Sequence, residues 1–354
     1  MAEFDWSRGA AHRWRYWIVD PDTWQDSEEL RNVRSCEITR DLESDTMESA
    51  TLSFDGDPPE GELIVRAYLE ATQRFSSARI CVGTMVLQTP AWSGDGLATE
   101  ADAECYGVLL DLADDGPPVG FAAVRGSDPL ALAATYARAA MRAPVGSPPE
   151  GVPLTDHYVA GDDESWLDTV RNLCSLGGCD LTVDARGNVR FEPRRRVAAL
   201  SPVATFDDGN SSVLGKGIEV TTDMYKVPNV VRVVWSEGTR CVVAEAVNED
   251  AASRLSVPSR GRRIVETVRN PDELSSGCTE SSARAVAAAR LSDLSHVERS
   301  VTFEHALTAG LPSLGECVRL RYDRYHLDCR ARVTRQVIRC ETGAMVECTA
   351  TWTE

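Results

Sequence analysis

The chain has 354 residues, of which 43% are hydrophobic and 26% charged, a composition that supports packed cores in two or three domains and excludes a disordered or fibrous chain. Its formal net charge is −18, and the excess lies at the front: residues 1–118 hold 24 acidic and 9 basic side chains, while the remainder is nearly balanced. An acidic surface repels phosphate backbones, which argues against sequence-specific nucleic-acid binding; surface acid that only aids solubility fits the same sign.

In chain order, Trp14, Tyr16, Trp17 and Trp24 crowd the stretch before and after Pro21. They form either ordinary core and loop or a contact surface for a partner. Residues 33–40 and 48–55 alternate strictly between apolar and polar and read as half-buried strands. Segments 63–69, 79–87 and 103–112 read as further strands, and five at this spacing suggest a small barrel or sandwich. The character changes after Gly116-Pro117-Pro118. Ser127 is placed to cap a helix that has Pro129 in its first turn and Leu130, Ala133, Ala134, Ala137 and Met141 on its apolar stripe. A Pro/Gly-rich connector over 143–156 follows. The next helix carries Trp166, Leu167, Val170, Leu173 and Cys174 on its buried face and closes at Gly177-Gly178. A hairpin is then expected around 184–188, completing a compact α/β unit over 119–197. The rest returns to strands (229–235, 240–247, 301–305, 316–322, 330–338, 345–352). One Ala-rich helix interrupts them, capped by Thr279, with Ala283, Val286, Ala287, Leu291 and Leu294 on one face. The expected architecture is mainly β with an α+β insert: a first barrel-like domain over 1–118, an α/β unit over 119–197, and a second barrel-like domain with one helix over 198–354.

The cysteines are eleven, with no CxxC spacing. Several alternate with apolar residues, as in Arg79-Ile80-Cys81-Val82, and read as buried thiols of a chain folded in a reducing cytoplasm. A zinc site would require distant His and Cys to converge. No apolar run approaches 18 residues, so no membrane span is expected. The opening Met1-Ala2-Glu3-Phe4-Asp5 lacks the basic and apolar regions of a signal peptide.

The motifs that announce common chemistries are absent. His12, His157, His296, His305 and His326 are scattered without an HExxH; there is no GxSxG, no phosphate-binding P-loop and no helical GxGxxG. Asp111, Asp114 and Asp115 sit beside a Gly-Pro-Pro turn. Asp162, Asp163 and Glu164 sit at a helix start, where capping accounts for them, though a glycosidase-type carboxylate pair is not excluded by sequence. Only Lys216 and Lys226 are lysines, against 35 arginines; a GC-rich genome explains this, and arginine also suits carboxylate pairing at interfaces. No catalytic, cofactor-binding or metal residue is assigned, and no cofactor is expected. Trp14, Tyr16, Trp17 and Trp24 are the candidate interface residues.

The order of segments resembles the hub proteins of phage baseplates and siphophage tail tips, also called tail-associated proteins. The resemblance rests on Trp17-Ile18-Val19-Asp20-Pro21-Asp22-Thr23-Trp24, Ser35-Cys36-Glu37-Ile38-Thr39-Arg40-Asp41 and Glu48-Ser49-Ala50-Thr51-Leu52. It continues through Gly116-Pro117-Pro118-Val119-Gly120 and Asp163-Glu164-Ser165-Trp166-Leu167, then Leu181-Thr182-Val183-Asp184-Ala185-Arg186-Gly187-Asn188-Val189. Pro228-Asn229-Val230-Val231-Arg232-Val233 with Asn248-Glu249-Asp250, and Leu314-Gly315-Glu316-Cys317-Val318-Arg319-Leu320, complete it over about 300 residues. It implies a non-enzymatic virion component that forms a homotrimer with a pseudo-sixfold ring. Such a ring joins the tail tube or distal tail protein to a central fibre or spike and gates passage of DNA and the tape-measure protein. Assembly would occur in the host cytoplasm, with the product at the virion tail tip. The chain is expected to be a minimal hub without a catalytic appendage, whose acidic first segment could line the bore. The other readings are a tail-associated cell-wall hydrolase or peptidase and a host-receptor or glycan-binding module.

Overall fold

The computed structural model describes residues 4–6, 8–94, 99–195, 197–209, 214–225, 227–271, 274, 278–308 and 312–353. Lys226 and the first three residues of the chain lie outside them, as does the side chain of Lys216. The strands are β1 (Ala11–Val19), β2 (Asp26–Leu30), β3 (Val33–Asp41), β4 (Glu48–Asp55), β5 (Leu63–Thr72), β6 (Ser77–Gly94), β7 (Thr99–Gly107), β8 (Ala122–Ala123), β9 (Tyr158–Val159), β10 (Cys179–Val183), β11 (Val189–Pro193), β12 (Ala204–Asp207), β13 (Leu214–Asp223), β14 (Val230–Glu237), β15 (Arg240–Val247), β16 (Val265–Arg269), β17 (Glu298–Ala306), β18 (Cys317–Tyr322), β19 (Leu327–Arg339) and β20 (Met345–Thr353). The helices are α1 (Leu110–Ala113), α2 (Pro129–Ala140), α3 (Trp166–Leu176), α4 (Val257–Arg260) and α5 (Glu280–Leu294). Two compact units result, one of residues 1–219 with 302–350, the other of 220–301 with 351–354.

In the first unit, period-two alternation sets which side of the main sheet is buried. Cys36 and Ile38 on β3, Leu52 and Phe54 on β4, and Ala101, Ala103 and Cys105 on β7 are all nearly inaccessible, while their neighbours face outward. The main sheet runs β13-β17-β20-β19-β3-β4-β7-β6-β5-β1-β2, with β12 and β18 branching from β19. The mainly β architecture with an α/β insert is the one expected, but the strands do not close into barrels. The physical reason is β19. Its first half pairs with β18, and its second half, from Arg335 to Arg339, pairs with β3. One 13-residue strand thereby joins what the sequence suggests as separate β blocks into a single open sheet.

The insert folds as the periodicity predicts. Leu130, Ala133, Ala134 and Ala137 of α2 pack with Leu167, Val170, Leu173 and Cys174 of α3 and with Leu181, Val189 and Phe191 of the β10–β11 hairpin. Phe121, Tyr136 and Trp166 add an aromatic cluster, with Tyr136 stacked on Trp166 at 4.9 Å between centroids. Asp128, not Ser127, is the cap of α2: its carboxylate accepts from the Leu130 and Ala131 amides. Ser165 caps α3 in a reciprocal box with Asp168. The strand expected over 103–112 ends at Gly107, where an added Cβ would lie 2.2 Å from the Thr46 carbonyl oxygen, and a helical turn, α1, follows.

The second unit packs α5 on the three-stranded sheet β15-β14-β16. Ala283, Ala287 and Leu291 meet Val231, Val233, Trp235 and Ala244, and Thr279 caps the helix as expected. No disulfide forms among the eleven cysteines, eight of which are buried.

Candidate functional site

The alternation that buries one face of the main sheet builds a continuous polar surface on the other. Antiparallel register sets Glu37 opposite Thr51 and Arg339, Thr51 opposite Glu104, Ser53 opposite Asp102, and Asp55 opposite Glu100. Asp41 faces Arg335 across β3 and β19, and Arg335 and Arg339 reach Glu347, with Glu304 beside Arg339. Eight carboxylates thus share one side with Arg34, Arg335 and Arg339. At these separations near the surface the arginines offset only part of the field, so the face stays acidic.

A second arrangement fixes the insert on this sheet. The turn at 184–188 is shaped by Asp184, whose carboxylate accepts from the amides of Arg186 and Asn188 and from the Asn188 side chain. Its carbonyls then land on β1–β6 residues. Trp24 Nε1 donates to the Arg186 oxygen at 2.9 Å and Arg66 donates to the same oxygen at 3.1 Å, while Thr84 Oγ1 donates to the Ala185 oxygen at 3.0 Å. Arg66 is 3% exposed; it also donates to Thr84 Oγ1 and pairs with Asp26, which Tyr68 OH holds from the other side at 2.8 Å. Gly187, at φ +77°, lies where a Cβ would come within 2.9 Å of the Trp24 ring. Sequence reasoning missed Arg66. The signal was a single charge inside the apolar run Leu63-Ile64-Val65-Arg66-Ala67-Tyr68-Leu69, since a buried arginine demands fixed partners.

Beside this network Arg40 and Glu48 pair across β3 and β4 at 3.3 Å, both buried. Burial pushes the Glu48 carboxyl up to about 7, against the opposing pull of Arg40 and the Thr84 backbone. Gly83 packs against it: a Cβ there would lie 2.5 Å from Glu48 Oε1, so a larger residue would have to displace the carboxyl.

The four aromatics of the sequence reading divide. Trp24 holds the insert turn. Tyr16, 5% exposed, belongs to the core, where burial, with Cys36 and Cys340 beside it, raises its phenol above the usual range. Tyr16 therefore offers no surface, because the inward side of β1 packs under the sheet. Trp14 and Trp17 are half-buried: Trp14 Nε1 donates to the Glu341 oxygen at 2.9 Å, and Arg79 stands over the Trp17 ring.

Of the carboxylates near turns, Asp111, Asp115 and Glu164 are engaged in the fold, while Asp114, Asp162 and Asp163 are exposed. Asp111 pairs with Arg142, which also reaches Glu62. Asp115 accepts the Gly116 amide with its side chain and the Trp166 amide with its backbone oxygen. Glu164 accepts from Tyr158 OH and Thr169 Oγ1. His305 is buried, with Nδ1 on the Ala306 oxygen at 2.9 Å and Nε2 3.3 Å from Cys348 Sγ. Burial lowers the His305 value and raises the Cys348 thiol to about 12, so this pair is a neutral core contact and not an activated thiolate. Among the described residues no three His, Cys, Asp or Glu side chains converge to hold a metal ion, and no helix is long and apolar enough to cross a membrane.

No protein-family model matches the chain, and no curated protein matches its sequence. Solved structures do match in shape. A tail protein from Neisseria meningitidis superposes with a TM-score of 0.68 at 13% identity, over 96% of both chains. The 43 kDa tail protein of prophage MuSo2 from Shewanella oneidensis gives 0.66 at 11% identity, again over 96% of both. The chain has the fold of these phage tail proteins. A Francisella PdpA–VgrG complex also matches, with a TM-score of 0.58 at 7% identity, over 98% of this chain and 58% of that one.

Proposed function

We propose that the chain is a structural, non-enzymatic hub of a phage or phage-like tail tip. Three copies form a ring that joins the tail tube or distal tail ring to a central fibre or spike. Segments 1–118 and 198–354 supply the ring, and 119–197 is an elaboration on it. The observation that carries this reading is fold likeness to tail proteins over 96% of both chains, which leaves almost no residues for a separate catalytic module within these 354. The acidic sheet face supports it physically. A bore lined by carboxylates repels DNA phosphates, so DNA and the tape-measure protein pass without sticking. Trp14 and Trp17, half-buried on β1, are assigned to contacts with neighbouring tail components.

Sedimentation and electron microscopy of the purified chain, alone and with a tail-tube or distal tail protein, test the reading. Three-membered rings are expected. A chain that remains monomeric in both settings at about 100 µM overturns it.

A further inference from the structure

Arg171, Arg194 and Arg332 come together where the insert meets the main sheet. Arg171 stands on α3, Arg194 directly follows β11, and Arg332 lies on β19. They line a cavity of about 360 Å³ that Leu42 and Met47 close on the sheet side and β10 on the other. Asp180 of β10 is the single carboxylate in that lining among the described residues. It accepts from Arg194 Nε at 2.5 Å and from Arg332 Nη2 at 3.0 Å. Burial acts to raise its value, but the two arginines outweigh it and hold Asp180 below the usual carboxylate range, so it counts as a full negative charge.

Arg171 has no such close partner. Its Nη2 donates to the Ser44 and Asp45 carbonyl oxygens, and its one ion-pair contact among the described residues is the Asp45 carboxylate, 3.9 Å away on a side chain 93% exposed. Burial lowers the Arg171 value, and Asp45 and Asp168 do not offset it. Glu192, opposite Asp180 on the hairpin, lines the neighbouring cleft and not this cavity. Three guanidinium groups therefore meet one lining carboxylate, a surplus of two positive charges that Asp45 trims at the rim. Donors are spare as well: Arg171 Nε, Arg194 Nη2 and Arg332 Nη1 make no hydrogen bond among the described residues. A half-buried cation held mainly by carbonyl dipoles is stabilised by an anion brought beside it, because the surroundings screen less than water.

We propose that this cavity is a binding site for a carboxylate carried on a short apolar stem. The guanidinium forks suit the planar, bidentate geometry of a carboxylate. One negative charge matches the small surplus better than a phosphate dianion does, and Leu42 and Met47 offer contact to methylene groups. A free aliphatic acid and a glutamate side chain of a neighbouring polypeptide share this chemistry. The site goes beyond the ring reading and stands without it.

Isothermal titration of the full chain with hexanoate, hexanol and inorganic phosphate at fixed ionic strength provides the test. Hexanoate should bind saturably with a Kd of about 1 mM. Hexanol should not saturate, and phosphate should bind about tenfold more weakly. Arg194→Gln should weaken hexanoate about tenfold, the loss expected for one charge-assisted hydrogen bond. Arg194→Lys keeps the charge without the fork and should fall between. Arg194 is exposed, so both variants should fold, which circular dichroism checks. A short peptide amide carrying one glutamate separates the sources: binding tighter than hexanoate assigns the site to a polypeptide partner, weaker binding to a free acid, and both uphold it. The site is overturned by the absence of saturable hexanoate and glutamate-peptide binding up to about 20 mM. Phosphate binding as tight as hexanoate, or hexanoate binding unchanged in Arg194→Gln, overturns it equally.

Discussion

Glu48 is a carboxyl held by burial beside one arginine, and its consequence is a pH-dependent stability. Its folded value of about 7 lies above the ordinary value of 4.5. The native state therefore holds a proton that the unfolded chain gives up between those two pH values, and stability falls as pH rises through that window. The shift corresponds to about 3 kcal/mol. Thermal unfolding from pH 4.5 to 8 should show this decline, and Glu48→Gln should flatten it; a slope that persists in the variant would place its source elsewhere. His305 has the opposite sign. Its lowered value gives a contribution present above the ordinary histidine range and lost as pH falls through the folded value. Gly187 is the other decisive single residue. At φ +77° with the Trp24 ring close by, Gly187→Ala should cost about 1–3 kcal/mol, read as a lower urea midpoint. Its need for glycine is local and visible in the Arg-Gly-Asn turn, but the indole that closes over it comes from residue 24.

At the scale of elements, the turn between β10 and β11 is both a hairpin connection and a plug. Asp184 shapes it from within, and Arg66, Thr84 and Trp24 receive its carbonyls. Arg66→Met removes the charge partner of Asp26 and one of the two donors on the Arg186 oxygen, leaving Trp24 as the other donor there and Tyr68 on the carboxylate. Losses of this kind cost about 3 kcal/mol. Hydrogen exchange should then accelerate at the β10–β11 amides before the core of the main sheet, and exchange that stays unchanged there would show that the turn is held without Arg66. The hairpin and the α2 and α3 stripes were legible in the sequence because helix and strand periods are local. The cap of α2 was misplaced by one residue: Ser127 and Asp128 are both capping types, and only the backbone geometry at Asp128 aims a carboxylate at the Leu130 and Ala131 amides.

At the scale of the molecule, the acidic balance of the first segment becomes a surface with a place and a direction. Carboxylates at Glu37, Glu104 and Glu347 face one side of a single sheet with Asp41, Asp55 and Glu304 around them. Replacing Glu37, Glu104 and Glu347 by lysine should raise the chain's retention of DNA above that of the wild type. Binding measured by gel shift should weaken steeply with salt, by the release of condensed counterions. If the triple variant binds DNA no better than the wild type, the face is not the surface that sets the repulsion.

The sequence by itself determined the mainly β composition, the helix faces and the inward and outward side of each strongly alternating strand. These depend on side-chain period and on caps within a few residues. Only the tertiary structure decided that β19 merges the β blocks into one open sheet, that Tyr16 is core while Trp24 is a clasp, that Arg66 is a buried charge with fixed partners and that Glu48 is a buried carboxyl beside Arg40. The physical reason is partnership between strands: those outcomes depend on which strands and turns come together, as when residue 24 closes on residue 186, and a strand's alternation specifies which face is buried without specifying which strand lies beside it.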